Sequence, residues 1–377
     1  MPAGYRDCYL ETMTFGQPER VPLAPGGPRE STLAAWHMQG LARDVDWRTE
    51  LWRLLELEPL AGGAWGVPVD ARMIPQFQEE VLEHRDGHYI VRDWMGAITE
   101  IADCFDYTYI RSAKDFVTRK WHRFPVQNRA DWEQMKERYA LDAPGRFPDD
   151  FEERCGSVDR SQTLVSFQVN GPFWQMREWC GFERLCLLCI EEPEFVDEMA
   201  AFWKGFVLGL LQRITACVPI DRLGISEDMA YKAHSMISPA MARRFLLPSW
   251  REWTELVMHR GGTVVDMDSD GFVGELIPLW IEAGINVCSP LEVAAQNDIV
   301  AFREAFGRKM GYVGGLDKRA IAKGGEVIDA ELARVVPPLL AQGGYLPSCD
   351  HGVPPDISWP HFVDYSRKLA ALLGWYD

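Results

Sequence analysis

Six places after residue 160 bring acids, cations or a histidine directly after a short apolar run. Asn170, Trp174 and Arg177 follow TLVSFQV (163–169), Glu227 and Asp228 follow RLGIS (222–226), and Asp268 and Asp270 follow TVVDM (263–267). Glu292 follows INVCS (285–289), Asp317, Lys318 and Arg319 follow MGYVGG (310–315), and Cys349, Asp350 and His351 follow YLPS (345–348). Carboxylates gathered at one place repel each other, so cations must neutralise them or some must keep their protons. Two chemistries satisfy that condition. In one, a divalent metal sits among Asp268, Asp270 and His351, with Glu227 or Asp228 beside it as proton donor; oxygen and nitrogen ligands suit zinc and several other transition metals. In the other there is no metal, one carboxylate with a raised pKa is a general acid, and Lys318 or Arg319 pairs with the rest. Trp174 and Arg177 would add an aromatic wall and a guanidinium for substrate carboxylates, and Glu292 a further substrate contact.

Each of these residues also has a plainer reading. Asp317 and Arg319 suit the cap and flank of a helix. His234, near Lys232, is the next histidine after His351 as a candidate. Cys186 and Cys189 form a C-x-x-C, but inside Leu185–Ile190, a run that reads as a buried helix. No nucleophile elbow, zinc-protease helix or phosphate-binding loop is present, and Cys349 is the best-placed thiol only by position.

The elements that must position these residues alternate. After each apolar run comes a helix pattern: about Pro193–Cys217, Ser238-Pro239 to Arg260, Gly274–Gly284, Asp298–Phe306, Glu326–Gln342 and Pro360–Leu373. Ser238-Pro239 is an N-cap followed by proline at the first helical position, and Gly261-Gly262 is a stop. Apolar strands alternating with helices indicate parallel β/α units covered on both faces. We expect an α/β fold, a distorted (β/α)₈ TIM barrel formed by one domain over 1–377. Regular units run over about 161–377 behind an irregular N-terminal part of about 1–155. Two of the eight strands would come from that part, at Val21–Ala24 and near 60–70. In such a barrel the residues after the strands share one rim.

Composition narrows the partners. The net charge of -17 disfavours nucleic acid. Met1–Glu11 lacks the apolar core of a signal peptide, and no run of ~18 uncharged apolar residues occurs. A cytoplasmic, non-membrane protein with its nine cysteines reduced is therefore expected.

Several stretches resemble the uroporphyrinogen decarboxylase-like superfamily: Asp268-Ser269-Asp270-Gly271, SPLE (289–292), GGLDKRAIAKG (314–324) and PSCDHGVPPDISWPHF (347–362), with ERVPL (19–23) and ESTLAAWHMQGL (30–41). The resemblance covers nearly the whole chain and implies a barrel with its cleft at the C-terminal rim. It is greatest to the branch of corrinoid-linked methyltransferases, which carry zinc on H-x-C-G and on a later cysteine before G-I-P-P. Here those positions fall on Asp268–Gly271 and on His351 before Gly352-Val353-Pro354-Pro355, so the ligands are oxygen and nitrogen donors. The decarboxylase proper has an arginine-rich N-terminal segment. This chain has only Pro28-Arg29-Glu30 there, which argues against haem-pathway decarboxylation. The resemblance implies methyl transfer from a methylated small molecule, such as an aryl methyl ether, to a corrinoid on a separate protein, and a homodimer. The alternatives are a metal-free decarboxylase (a lyase) in which Asp228 or Asp268 protonates a carbanion while Arg177 and Lys318 hold carboxylates, and a barrel that binds ligand without turnover.

Overall fold

β-Branched and apolar residues in short runs, each closed by a polar residue or glycine, form the strands. The computed structural model describes residues 3–106 and 117–376. The strands are β1 (Gly63–Gly66), β2 (Glu80–Arg85), β3 (His88–Arg92), β4 (Ile98–Ala102), β5 (Lys120–Arg123), β6 (Thr163–Asn170), β7 (Arg222–Ser226), β8 (Val264–Asp268), β9 (Val287–Ser289), β10 (Gly311–Leu316) and β11 (Tyr345–Cys349). Seven of them form one parallel sheet in the order β1-β6-β7-β8-β9-β10-β11, and β2 to β5 form a separate antiparallel sheet. The parallel sheet curls so that the helix Tyr5–Met13 touches β1, β6 and β11 at once.

The barrel does not close. Of the two expected N-terminal strands, the one near 60–70 is β1. Val21–Ala24 makes no strand among the described residues. It leads into a segment beside β11, where Pro25 and Gly27 accept bonds from the Cys349 and Val353 amides at 3.2 and 2.9 Å. Pro28 makes a parallel bridge to Val353. Pro22, Pro25 and Pro28 have no N–H, so this segment cannot donate along a regular ladder. The irregular N-terminal part also holds a regular antiparallel sheet that the periodicity did not suggest. Its β2–β3 turn is Asp86-Gly87, both with positive φ (50° and 73°), the conformation that a tight two-residue hairpin requires.

The helices follow expectation with local breaks. Ser238 accepts from the Met241 amide at 3.2 Å, but the helix divides at Leu246, one residue before a second helix Leu247–His259 that contains Pro248. Leu185 and Cys189 are buried, whereas Leu187 and Ile190 on the same helix are exposed, so that helix is buried on one face only. Tryptophans mostly fill the core: Trp36, Trp132, Trp179, Trp203, Trp250, Trp253 and Trp280 are all fully buried. No helix among the described residues is long and apolar enough to cross a membrane.

The floor of the sheet is tied by charge. Asp221, with no solvent exposure, accepts from Arg6 at 2.9 and 3.2 Å, from Arg160 at 2.7 Å and from the Val165 amide at 2.9 Å. This fixes the helix Tyr5–Met13 under the strands and leaves the opposite, C-terminal rim for the polar residues.

Candidate functional site

Asp270, Glu292 and His351 come from the loops after β8, β9 and β11. Each offers one ligand atom, and these atoms lie within 4.8 Å of one another. Local chemistry brings the loops together. Gly271 has φ +81°, and a Cβ there would stand 2.5 Å from the Ala230 backbone, so only glycine lets the β8 loop pass so close. Its amide donates to Glu292 Oε2 at 3.2 Å. Buried Asn297 donates to the carbonyls of Gly271 and Glu292 at 2.8 and 3.0 Å and so clamps both loops. Asn297 was not singled out in the sequence, where a lone asparagine before a helix reads as loop chemistry.

Cations reach the same cluster. Lys318 Nζ donates to Glu292 Oε1 at 2.9 Å and lies 4.0 Å from Asp350. Asp350 is fully buried and accepts from the amides of Val293 and Lys318 at 2.9 and 3.2 Å. Burial pushes its carboxyl up and Lys318 opposes that. Asp350 thus links the β9 loop to the helix that carries Lys318. Asp317 caps that helix through the Arg319 amide at 2.8 Å and pairs with the Arg319 side chain.

His351 Nε2 lies 3.2 Å from Asp270 Oδ2, and Arg29 Nη2 lies 3.2 Å from Nδ1. The bond with Asp270 holds the imidazole pKa above its ordinary value. Arg29 can only donate, so in the neutral ring Nδ1 accepts and the proton sits on Nε2, facing Asp270.

Asp268 is placed differently from Asp270. It is the last residue of β8, one position inside the strand rather than beyond it, and Ser226 Oγ donates to it at 3.1 Å. Burial and the neighbouring Asp266 push its carboxyl up to about 6. Beneath it Asp266 accepts from Arg222 and from Ser289 Oγ. Among the described residues Asp268 is outside the group of three, and Glu292, read from sequence as a substrate contact, is inside it.

The two acids after β7 diverge. Glu227 is fully buried; its carboxylate accepts from the Phe173 and Trp174 amides at 2.9 and 3.1 Å and from Trp250 Nε1 at 2.6 Å. Burial pushes it up to about 8, against the pull of these three donors. It anchors the start of the helix Pro172–Cys180. Asp228, at φ 42°, turns outward to Arg177, which donates to its carboxylate at 2.9 Å and to its carbonyl at 3.0 Å. Asp228, Asp270 and Glu292 share the lining of a rim cavity of about 340 Å³. His234 lies apart, largely exposed and 3.9 Å from Glu275.

Glu178 is the acid that the sequence reading missed. It accepts from Trp174 Nε1 at 2.7 Å and from Gln175 Nε2 at 3.3 Å, and burial pushes it up to about 7. Its only sequence signal is the four-residue spacing from Trp174 within FWQMREW, which places both on one helix face. Glu178 and Trp174 line a cavity of about 590 Å³ with Gln168 and Asn170 of β6, and also a larger one of about 830 Å³. Arg177 packs its guanidinium 4.7 Å from the Trp174 ring centre.

No family model and no curated protein matches the chain. Among solved structures the chain is similar to a methyltransferase from Methanosarcina mazei, at 12% identity over 98% of each chain with a TM-score of 0.55. It is also similar to a candidate fructose-1,6-biphosphate aldolase from Coccidioides immitis, at 11% identity over 59% of this chain and 83% of that one, with a TM-score of 0.28. The first likeness is one of fold across the full length of both chains, and the second is too distant to carry an argument.

Proposed function

We propose that the chain is a methyltransferase of the uroporphyrinogen decarboxylase-like type, taking a methyl group from an oxygen-linked small molecule with the help of a divalent cation at Asp270, Glu292 and His351. A corrinoid on a separate protein is the acceptor in this reading. The grouping of three ligand atoms within 4.8 Å at the rim carries it, and the full-length likeness to a solved methyltransferase supports it.

The donor set fits a hard or borderline cation: two carboxylate oxygens and one imidazole nitrogen, with no thiol. Burial keeps Cys349, the thiol nearest in sequence, protonated, pushed up to about 12. When bound, such a cation supplies Lewis-acid polarisation of a substrate oxygen. Lys318 holds Glu292 in place, Asp350 holds Lys318, and the Asp228–Arg177 pair forms the adjoining wall. His351 sets a condition. Its Nε2 carries the proton while Arg29 donates to Nδ1, so ligation through Nε2 requires that proton to leave and the Arg29 bond to be given up.

Elemental analysis of the purified protein tests the reading. About one equivalent of a transition metal is expected, lost in Glu292→Gln and His351→Ala, and held more tightly in Arg29→Met, where the competing donor is gone. Metal content unaltered by both ligand substitutions would overturn it.

A second reading is a metal-free carboxy-lyase. It is favoured by Lys318 and Arg29, which already meet Glu292 and His351, and by Glu178, whose carboxyl burial pushes up to about 7 on the wall of two cavities. It predicts no bound metal and CO₂ release that Glu178→Gln abolishes.

A further inference from the structure

A cavity of about 830 Å³ shares no residue with the metal-type cluster. One wall is β5 with its flanks, and the other is the junction of the helices Pro172–Cys180 and Phe182–Glu191. On a protein of net charge -17 this cavity is lined by Arg119, Arg123, Arg177 and Arg184. Arg177 is taken by Asp228. Among the described residues no carboxylate lies within ion-pair distance of the other three. Arg119 Nη1 and Arg184 Nε are buried N–H groups with no acceptor among the described residues. The buried carboxylate of Asp93 acts on Arg119 only through space, without a bond, and burial pulls the Arg119 pKa down. Two acids share the lining: Glu183, and Glu178 with its raised carboxyl. A guanidinium donor kept from water without an acceptor is costly, and in a cavity it marks the place of an anionic group.

Flat rings stand beside these donors. Trp121 and Phe124 stack at 5.0 Å with 19° between planes, Trp174 lies on the inner side, and Arg119 sits 4.6 Å from the Trp121 ring centre. Trp121 and Phe182 are 38% and 43% exposed, although apolar rings of this size normally bury themselves. Gly181 makes the junction possible. With φ +83° and Phe124 only 2.5 Å from where a Cβ would be, it lets the helix break and the ring close in.

We propose that this cavity binds a small planar aromatic carboxylate, the carboxylate between Arg119 and Arg184 with Arg123 at the mouth, and the ring among Trp121, Phe124 and Trp174. The site does not depend on the metal reading, since none of its residues belongs to that cluster.

Isothermal titration of the full chain, dialysed against EDTA so that metal plays no part, tests it with four probes: phthalate, benzoate, benzamide and inorganic phosphate. Saturable binding of phthalate and benzoate is expected, roughly tenfold or more tighter than benzamide, which has the ring without the charge, and than phosphate, which has charge without the ring. Arg184→Met should weaken phthalate roughly tenfold or more. Arg123→Gln, at an exposed position, should weaken it in the same direction. Absence of saturable binding, benzamide or phosphate binding as tightly as phthalate, or affinities unchanged in both variants would each overturn the proposal.

Discussion

Glu227 and Asp228 are adjacent, yet their environments give them opposite duties. Glu227 goes into the core and is surrounded by N–H donors, while Asp228 turns to the rim and meets Arg177. The fit around Glu227 is tight: a Cβ on Gly171 would stand 2.1 Å from its Cδ. Gly171→Ala should therefore cost roughly 1–3 kcal/mol of stability by overpacking, read from the urea midpoint; an unchanged midpoint would mean the helix start shifts freely. Glu178 carries a different prediction. Its carboxyl is pushed up to about 7, so any activity that uses its proton should fall as pH rises through about 7. Glu178→Gln should abolish such an activity at every pH, whereas an activity that does not use this proton should keep its profile in the variant. Sequence spacing could place Glu178 on a helix face, but not next to a cavity. That depended on where β1 and the β2–β5 sheet lie.

The β/α units after residue 160 were legible because each strand is a β-branched run and each helix has a cap or a glycine stop. The C-terminal ends of the strands were legible to within a residue, and one residue decided chemistry. Asp268 closes β8 and faces the interior, whereas Asp270 stands clear of it. Val21–Ala24 read as a strand because a closed barrel needs eight; the missing amides of Pro22, Pro25 and Pro28 were the contrary signal. The antiparallel sheet was announced only by Asp86-Gly87, easily taken for an ordinary turn. At this scale two joints can be tested. Gly181→Ala forces a side chain into both a positive φ and the Phe124 ring, and should cost about 1–3 kcal/mol; a wild-type melting temperature would refute the joint. Asp221→Asn removes the charge that fastens the first helix to the floor. It should cost about 3 kcal/mol, the lower end for breaking a buried pair, because Arg6 and Arg160 keep some water. Chemical denaturation of the variant measures it, and a loss under ~1 kcal/mol would show the helix docked by packing alone.

Across the whole molecule the acids with the largest shifts point one way. Burial pushes Asp93 and Asp268 up to about 6, Glu178 up to about 7 and Glu227 up to about 8. Between the ordinary carboxylate value and these values the folded state holds more protons than the unfolded one, so stability falls as pH rises. His351, raised by Asp270, loses its contribution in the same direction. The acids held low by arginine, such as Asp70 and Asp317, matter only in stronger acid. The protein should thus melt at a higher temperature at pH 6 than at pH 8.5, a ranking that a calorimetric scan at the two values would confirm or reverse.

The segment that lies against the open seam has a consequence for synthesis. Arg29 meets His351, Thr32 donates to the Val353 carbonyl and Trp36 to that of Ile357, contacts separated by more than 320 residues. On the ribosome the first forty residues emerge long before those partners exist. At translation rates of about 5–20 residues per second they wait on the order of tens of seconds with Trp36 uncovered. The rim is therefore the last part of the molecule to be assembled, and a nascent chain stalled short of His351 would present a formed sheet with an unfinished site, its amino-terminal arm free for a chaperone to hold.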